Sequence, residues 1–290
     1  MHTILKGAKK DITIGSDQPF VMIGEKINPT GSKKLAAALR EDNMDFVRQL
    51  AERQVAWGAE VLDVNVGLPS FDEVTAMAKV VEMLALVTDG PVCIDSANPD
   101  VLAAGLKAAP GKPLINSVSA EEKRLEKVLP LAKERGAAVI GLTMGDEGIP
   151  KTPEERVAMA EKILESAAKI GIPAEDVIID PLVMTVGSDS KAGLVTLQTI
   201  ELIRKEFGVN INLGASNVSF GLPDRFTVNQ TFLAMAIQAG ATCSITDPIK
   251  LGMAIRASDL LLGRDNFSMR FIKYFRSTEA LRAQETQSAG

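Results

Sequence analysis

The chain is poor in the side chains on which much enzyme catalysis depends. Its 290 residues include one histidine, His2, two cysteines, Cys93 and Cys243, one tryptophan and one tyrosine. A lone histidine beside the N-terminus leaves no base for a Ser-His-Asp or Cys-His nucleophile pair in the body of a fold. Zinc sites built on histidine and cysteine lack their ligands. Two distant cysteines make no disulfide framework, and free thiols fit a reducing cytoplasm. No apolar run reaches the ~18 residues of a membrane helix. The opening MHTILKGAKKDITIGSDQPF has no long apolar stretch either, so no secretory leader is expected. Charge is only mildly biased, with 32 Lys+Arg against 37 Asp+Glu and a formal net charge of -5, which argues against a broad nucleic-acid surface. The expectation is a soluble cytoplasmic protein. Its chemistry must run on carboxylates, amides, hydroxyls or a borrowed cofactor.

What is present is a rhythm. Hydrophobic residues make up 46% and charged residues 24%, enough for a large core. Eight short apolar runs alternate with longer stretches of helical periodicity: VMIGEKI, EVLDVNVG, PVCIDS, PLINSVS, AAVIGLTM, DVIIDPLV, NINLGASN and TCSITDP. Several helical stretches close on a glycine, as at Gly58, Gly136, Gly171 and Gly240. The run ends from Glu25 to Asp247 span seven units of about 32 residues, with no Pro- or Ser-rich linker. This spacing predicts an α/β chain folded as a single (β/α)8 TIM barrel over residues 21–265. Residues 1–20 form an N-terminal extension that caps the barrel floor. Residues 266–290 form a C-terminal extension whose polar TEALRAQETQSAG tail is expected to be partly frayed.

In such a barrel the active site is built at the C-terminal ends of the strands. Those positions hold Glu25, Asp63, Asn65, Asp95, Asn116, Thr143, Asp180, Asn217 and Asp247. Any one aspartate, taken alone, reads equally as a helix cap. A whole ring of carboxylates and carboxamides ending apolar strands is hard to explain by packing, because a buried carboxylate must be paired or hydrogen-bonded. Aspartates accept paired N–H donors, and asparagines both donate and accept. A planar heterocycle with an amidine-like edge, such as a pterin, matches that mixture. No GxGxxG or P-loop pattern supports a nucleotide phosphate site. No lysine ends a strand in the apolar setting of a Schiff base; Lys26, beside Glu25, comes nearest. A Mg²⁺-dependent barrel, with Asp63, Asp95, Asp180 and Asp247 as ligands, is a rival reading. A non-catalytic pterin-binding protein is another.

The ordered stretches IGEKINPTGS, LDVNVG, CIDS, INSVS, GLTM, IDPLV and ASNVSFGLPDR resemble the pterin-binding methyltransferase family. That group includes methyltetrahydrofolate:corrinoid protein methyltransferases and the folate domain of cobalamin-dependent methionine synthase. The resemblance implies pterin contacts at Asp95, Asn116 and Asp180, with Asp180 taking the N3–H and 2-amino edge. It implies that Asn217 is the asparagine approaching N5, the methyl-bearing atom, and is the catalytic residue. Asp63 and Asn65 would stand behind these contacts, and Asp247 has no assigned role. Arg225 is read equally as a substrate or partner contact and as a solvated loop cation. The implied substrate is tetrahydrofolate or methyltetrahydrofolate, and no metal is held by this chain. Because the chain has no DxHxxG pattern, the corrinoid is expected on a separate partner protein, and a homodimer is implied. The charged AEEKRLEKVLPLAKER segment is read as a solvated helix face, with a docking surface as the alternative. Dihydropteroate synthases are similar too, but the loops DVNVGLPSFDE and GASNVSFG lack their cationic cradle for pyrophosphate. Methyl transfer between N5 and cobalt is therefore preferred, its direction left open.

Overall fold

The computed structural model describes residues 1–288. The chain opens with an antiparallel hairpin, β1 (His2–Lys6) and β2 (Asp11–Gly15). Seven further strands follow: β3 (Val21–Ile27), β4 (Val61–Val64), β5 (Val92–Asp95), β6 (Leu114–Ser119), β7 (Ala138–Leu142), β8 (Val177–Asp180) and β9 (Cys243–Thr246). They form one parallel sheet in the order β8-β7-β6-β5-β4-β3-β9. The 210–214 segment stands between the two edges. Parallel bridges join Ile211 to Ile179 of β8 and Gly214 to Ile245 of β9, so the curled sheet closes into the expected barrel. Of the eight predicted strands this one is irregular. Its Asn210, Asn212 and Gly214 are poor strand formers, and pairing is reduced to isolated bridges.

Side chains alternate across each strand and so divide the core in two. Val21, Ile23, Val61, Cys93, Ile140 and Cys243 point into the barrel. They pack with Leu5, Ile12 and Ile14 of the hairpin, which therefore fills the barrel from its N-terminal end. Both cysteines lie in that interior, as their strand parity predicts. The alternate residues, such as Met22, Leu62, Ile94 and Val139, join the outer layer beneath the helices.

After β3 come α1 (Lys33–Arg40) and α2 (Met44–Ala56); α3 (Glu73–Val87), α4 (Pro99–Ala108) and α5 (Glu122–Arg135) follow the next three strands. Then come α6 (Pro153–Lys169), α7 (Ala192–Glu206), α8 (Arg225–Ala239) and α9 (Pro248–Leu261). The charged segment from Ala120 becomes α5, which buries Leu125, Val128, Leu129 and Ala132 and turns at Gly136 with φ +64°. Among the described residues no helix is long and apolar enough to cross a membrane.

The C-terminal tail departs from expectation. Rather than fraying, it is helical in α10 (Met269–Ser288); residues 289–290 lie outside the described residues. Tertiary contacts override its polar composition. Arg53 of α2 binds Glu285 through Nε at 2.8 Å and Nη2 at 3.1 Å, and Arg282 stacks 5.6 Å from the Trp57 ring. Trp57 is buried, and its ring meets α10. The Tyr274 hydroxyl lies 3.1 Å from the carbonyls of both Trp57 and Pro248. A side chain at Gly252 would collide with that hydroxyl. Gly252→Ala should therefore lower the melting temperature by about 3–6 °C despite its better helix propensity. Gly193→Ala, which meets only Val186 at 3.4 Å, should be neutral or stabilising in the same thermal scan.

Candidate functional site

Following the inward parity of each strand one step beyond the apolar interior gives the floor of the mouth. Ile23 leads to Glu25, Val61 to Asp63, Cys93 to Asp95, Leu114 to Asn116 and Ile178 to Asp180. Above them opens a cavity of about 940 Å³, whose lining includes Glu25, Asp63, Asp95, Asn116 and Asn217. Five of the sequence-predicted strand-end residues, Glu25, Asp63, Asp95, Asn116 and Asn217, thus share one cavity. Asn65 joins them through a hydrogen bond from its Nδ2 to Asp95 Oδ2 at 3.0 Å. Its own Oδ1 accepts from Gly67 N at 2.8 Å, which fixes the amide's orientation.

Asp63 and Asp95 stand on adjacent strands. Asp63 is buried and accepts a hydrogen bond from Asn116 Nδ2 at 3.1 Å. Burial, and then the neighbouring Asp95, push the Asp63 carboxyl well above the usual carboxylate range, against hydrogen bonds from Asn116 and Cys93. Burial also raises Asp95, opposed by Asn65. Two close carboxylates hold a proton further up the pH scale than either would alone. With Asn65 on Oδ2, Asp95 keeps Oδ1 unengaged. With Nδ2 given to Asp63, Asn116 keeps its carbonyl oxygen free. The floor therefore offers acceptors to a ligand that carries N–H donors.

Asp180 faces the barrel from the wall opposite Asp63, because β8 and β4 are four positions apart in an eight-position ring. It does not line the cavity. Its Oδ1 accepts from Leu182 N at 2.8 Å and its Oδ2 from Asn212 Nδ2 at 2.8 Å. Burial pushes this carboxyl up to about 6, against those two hydrogen bonds and the nearby Arg156. Arg156 Nη1 also holds the carbonyls of Pro181 and Leu182, each at 2.8 Å, and Leu182 has φ +60°. Asn212, fully buried, was missed from the sequence. Its only signal was an inward parity shared with Asn210 in the weak NINLG run.

Asp247 and Arg225 lie in an adjoining hollow of about 420 Å³. Asp247 caps α9 by accepting from Ile249 N at 3.1 Å, and it also pairs with Lys26 at 2.9 Å. Lys26 reaches Glu25 at 2.9 Å as well. Burial works against the lysine's charge, but these two carboxylates outweigh it and raise its pKa. A register shift between Gly24 and Ile27 aims both Glu25 and Lys26 toward the mouth, and Gln54 Oε1 accepts from Lys26 N at 2.8 Å to hold it. Arg225 donates to Ser219 Oγ at 3.0 Å and to the Ser216 carbonyl at 2.7 Å, with its guanidinium 5.8 Å from the Phe220 ring. Thr143 is buried, and its hydroxyl has no hydrogen-bond partner.

The four aspartates of the Mg²⁺ reading do not converge. Asp63 and Asp95 are neighbours, Asp180 lies across the barrel, and Asp247 is turned to Lys26. Among the described residues no group of three or more His, Cys, Asp or Glu is placed to hold a metal ion. His2 sits on the hairpin at the opposite end of the barrel, 2.6 Å from Asp17. Asn217, in the short 3-10 turn Ala215–Ser219, is exposed at the cavity rim, and its side-chain amide makes no hydrogen bond among the described residues.

Known proteins resemble this chain in sequence and in fold. The chain is 32% identical over 265 residues to a methylcorrinoid:tetrahydrofolate methyltransferase of Eubacterium limosum, covering 89% of this chain and 96% of that one. It is also 32% identical over 253 residues to the methionine synthase of Mycobacterium tuberculosis, where it matches 21% of a much longer protein. Solved dihydropteroate synthases share the fold. That of Stenotrophomonas maltophilia superposes with a TM-score of 0.71 at 21% identity, covering 91% of this chain and all of the other. A Yersinia pestis dihydropteroate synthase gives 0.71 at 18% identity, with the same coverage. Residues 24–247 match the family described as pterin binding enzyme. That span runs from the first mouth strand to the cap of α9 and takes in every residue of the cavity floor, so the chain belongs to the pterin-binding enzyme family.

Proposed function

We propose that this protein moves a methyl group between N5 of tetrahydrofolate and the cobalt of a corrinoid carried by a partner protein. The observation that carries the proposal is the near-full-length match to the Eubacterium limosum enzyme, whose name gives the transfer as methylcorrinoid to tetrahydrofolate. We take the same sense here. The cavity chemistry fits the substrate. A tetrahydropterin presents N–H donors around its ring, and the floor presents Asp95 Oδ1, the Asn116 carbonyl and, from the far wall, Asp180. The only histidine is at the wrong end of the barrel to ligate cobalt at the mouth, which fits a corrinoid held elsewhere.

A corrinoid docked over the mouth would supply the cobalt that donates or accepts the methyl group. This chain's residues orient the pterin and manage the charge at N5. When N5 attacks, its lone pair must be free; when it leaves, the nitrogen must be stabilised by a hydrogen bond as charge returns to it. A carboxamide can donate or accept by turning over. Asn217, unbonded and at the rim, is free to make that turn.

The test mixes the purified protein with methylcobalamin and tetrahydrofolate and follows the cobalamin absorbance, then repeats it with methyltetrahydrofolate and reduced cobalamin. Protein-dependent demethylation of the cobalamin, with methyltetrahydrofolate as product, is the expected result. Pterin binding without transfer in either direction would instead make this a non-catalytic pterin-binding protein. The implied homodimer belongs to the same proposal and is read by sedimentation equilibrium.

A further inference from the structure

Arg156, at the close of the first turn of α6, is 3% exposed and pairs with no carboxylate among the described residues. A guanidinium this deep is costly to desolvate unless its donors are met. Here carbonyls meet them. Nε donates to Pro150, in the loop after β7, at 3.1 Å. Nη1 donates to Pro181 and Leu182, in the loop after β8, at 2.8 Å each. One side chain thus ties together the loops that leave two adjacent strands. The helix start is built to deliver it. Thr152 Oγ1 accepts from Glu155 N at 3.3 Å while Glu155 Oε2 accepts from Thr152 N at 3.1 Å, a reciprocal cap that fixes the turn carrying Arg156.

The two bonds to the β8 loop hold an unusual conformation. Leu182 has φ +60°, a region that costs free energy for any residue but glycine and persists only where its surroundings hold it. Held there, its N–H turns back onto Asp180 Oδ1 at 2.8 Å, while Asn212 Nδ2 fixes Oδ2 from the other side at 2.8 Å. The carboxylate is therefore set from both ends, and one end depends on Arg156. The same guanidinium, beyond ion-pair distance, also acts on Asp180 as a positive charge. From the other elements packed around it, the Cys243 thiol of β9 and the neutral Asn212 amide face that carboxyl. Among the described residues Arg156 is the cation that acts on it.

We propose that Arg156 is a positioning residue for pterin binding: it holds the Pro181–Leu182 turn that orients Asp180, and it faces that carboxylate with a positive charge. The inference rests on the tetrahydrofolate reading above, in which Asp180 accepts from the N–H groups of the ring. Burial raises the Asp180 carboxyl, and Arg156 restrains the rise. Without the cation the carboxyl holds its proton to higher pH, and a protonated carboxyl has less accepting capacity to offer the ring. Arg156 itself touches neither pterin nor cobalt in this reading; it works from behind the wall.

The test titrates 6-methyltetrahydropterin, the ring without its tail, across pH 5–8 into the wild-type protein, Arg156→Gln, Arg156→Lys, Asp180→Asn and the Arg156→Gln/Asp180→Asn double variant. Arg156→Gln should weaken binding about 10-fold at pH 7 and move the acidic fall in affinity upward by about one pH unit. Arg156→Lys keeps the charge without the planar fork, so its pH profile should stay with the wild type while affinity falls about threefold. In the Asp180→Asn background the glutamine substitution should cost almost nothing further, because its effect passes through the carboxylate. A side chain that only steadied the barrel would weaken binding equally in both backgrounds and leave the pH profile in place; either result overturns the inference. If circular dichroism shows that the glutamine variant does not fold, the lysine variant decides: weaker binding on the wild-type profile supports the inference, and a displaced profile or unchanged binding overturns it. A wild-type protein that binds no pterin removes the tetrahydrofolate reading instead, before any substitution is compared.

Discussion

Asn217→Ala should slow methyl transfer by about 100- to 1,000-fold, the loss typical of one preorganised hydrogen bond to developing charge. Affinity for the pterin should stay within about threefold. The separation follows from where the residue sits. Its amide makes no bond among the described residues and lies at the rim, whereas the acceptors proposed to bind the ring are those of Asp95 and Asn116 on the floor. A contact made only as N5 gains or loses its methyl group lowers the rate constant without touching ground-state binding. Stability is the control. Removing an exposed, unbonded side chain should shift the unfolding free energy by less than about 0.5 kcal/mol. Single-turnover kinetics with saturating pterin read the chemical step directly. A rate within threefold of wild type would remove Asn217 from N5.

The role given to Asn217 comes from the family resemblance alone, whereas most of the floor was accessible before the fold was known. Period-two alternation marks Val61-Asp63, Cys93-Asp95 and Leu114-Asn116 as inward pairs, so the polar ring could be read from one strand at a time. What could not be read is how one strand's residue meets another's. The bond from Asn116 to Asp63 crosses from β6 to β4, and the bond from Asn65 to Asp95 crosses to β5 from the residue just after β4; both depend on register. The Lys26–Asp247 pair needs β3 and β9 to become neighbours, which only barrel closure achieves. Asn212 stayed hidden because the strand that carries it is built from residues that disfavour strands. The tail erred the other way. Its composition reads as solvated, and only contacts to α2 and α9 make it a helix.

Asp180→Asn is expected to do two opposite things at once, and together they test whether this carboxylate is kept for its ligand. Burial raises its pKa to about 6 from an ordinary 3.8, so the folded protein resists ionising it. For a carboxyl raised in this way, the associated stability is fully present below the unfolded value and is lost as pH rises through the folded value. At pH 8 the ionised group then costs the unliganded protein about 3 kcal/mol, and near pH 5 roughly half of that is recovered. The D180N protein should accordingly melt about 5 °C higher than wild type at pH 8, and the gap should narrow toward pH 5. The amide keeps its shape, and Asn212 needs only to turn over to accept from it. If Asp180 gives its remaining lone pairs to the pterin, as proposed, affinity should move the other way and fall about 100-fold, because the asparagine keeps one accepting oxygen where the carboxylate has two. In the wild-type protein the same linkage makes pterin affinity drop by up to about tenfold per pH unit below 6, as Asp180 protonates before binding; the asparagine variant should show no such slope. Calorimetric titration across pH 5–8, beside thermal scans of the unliganded proteins, measures both arms. A variant that is more stable yet binds pterin as wild type would leave Asp180 as a structural acid. One that loses binding without gaining stability would remove the burial cost, and with it the argument that the fold tolerates a charged group at this depth for the ligand's sake.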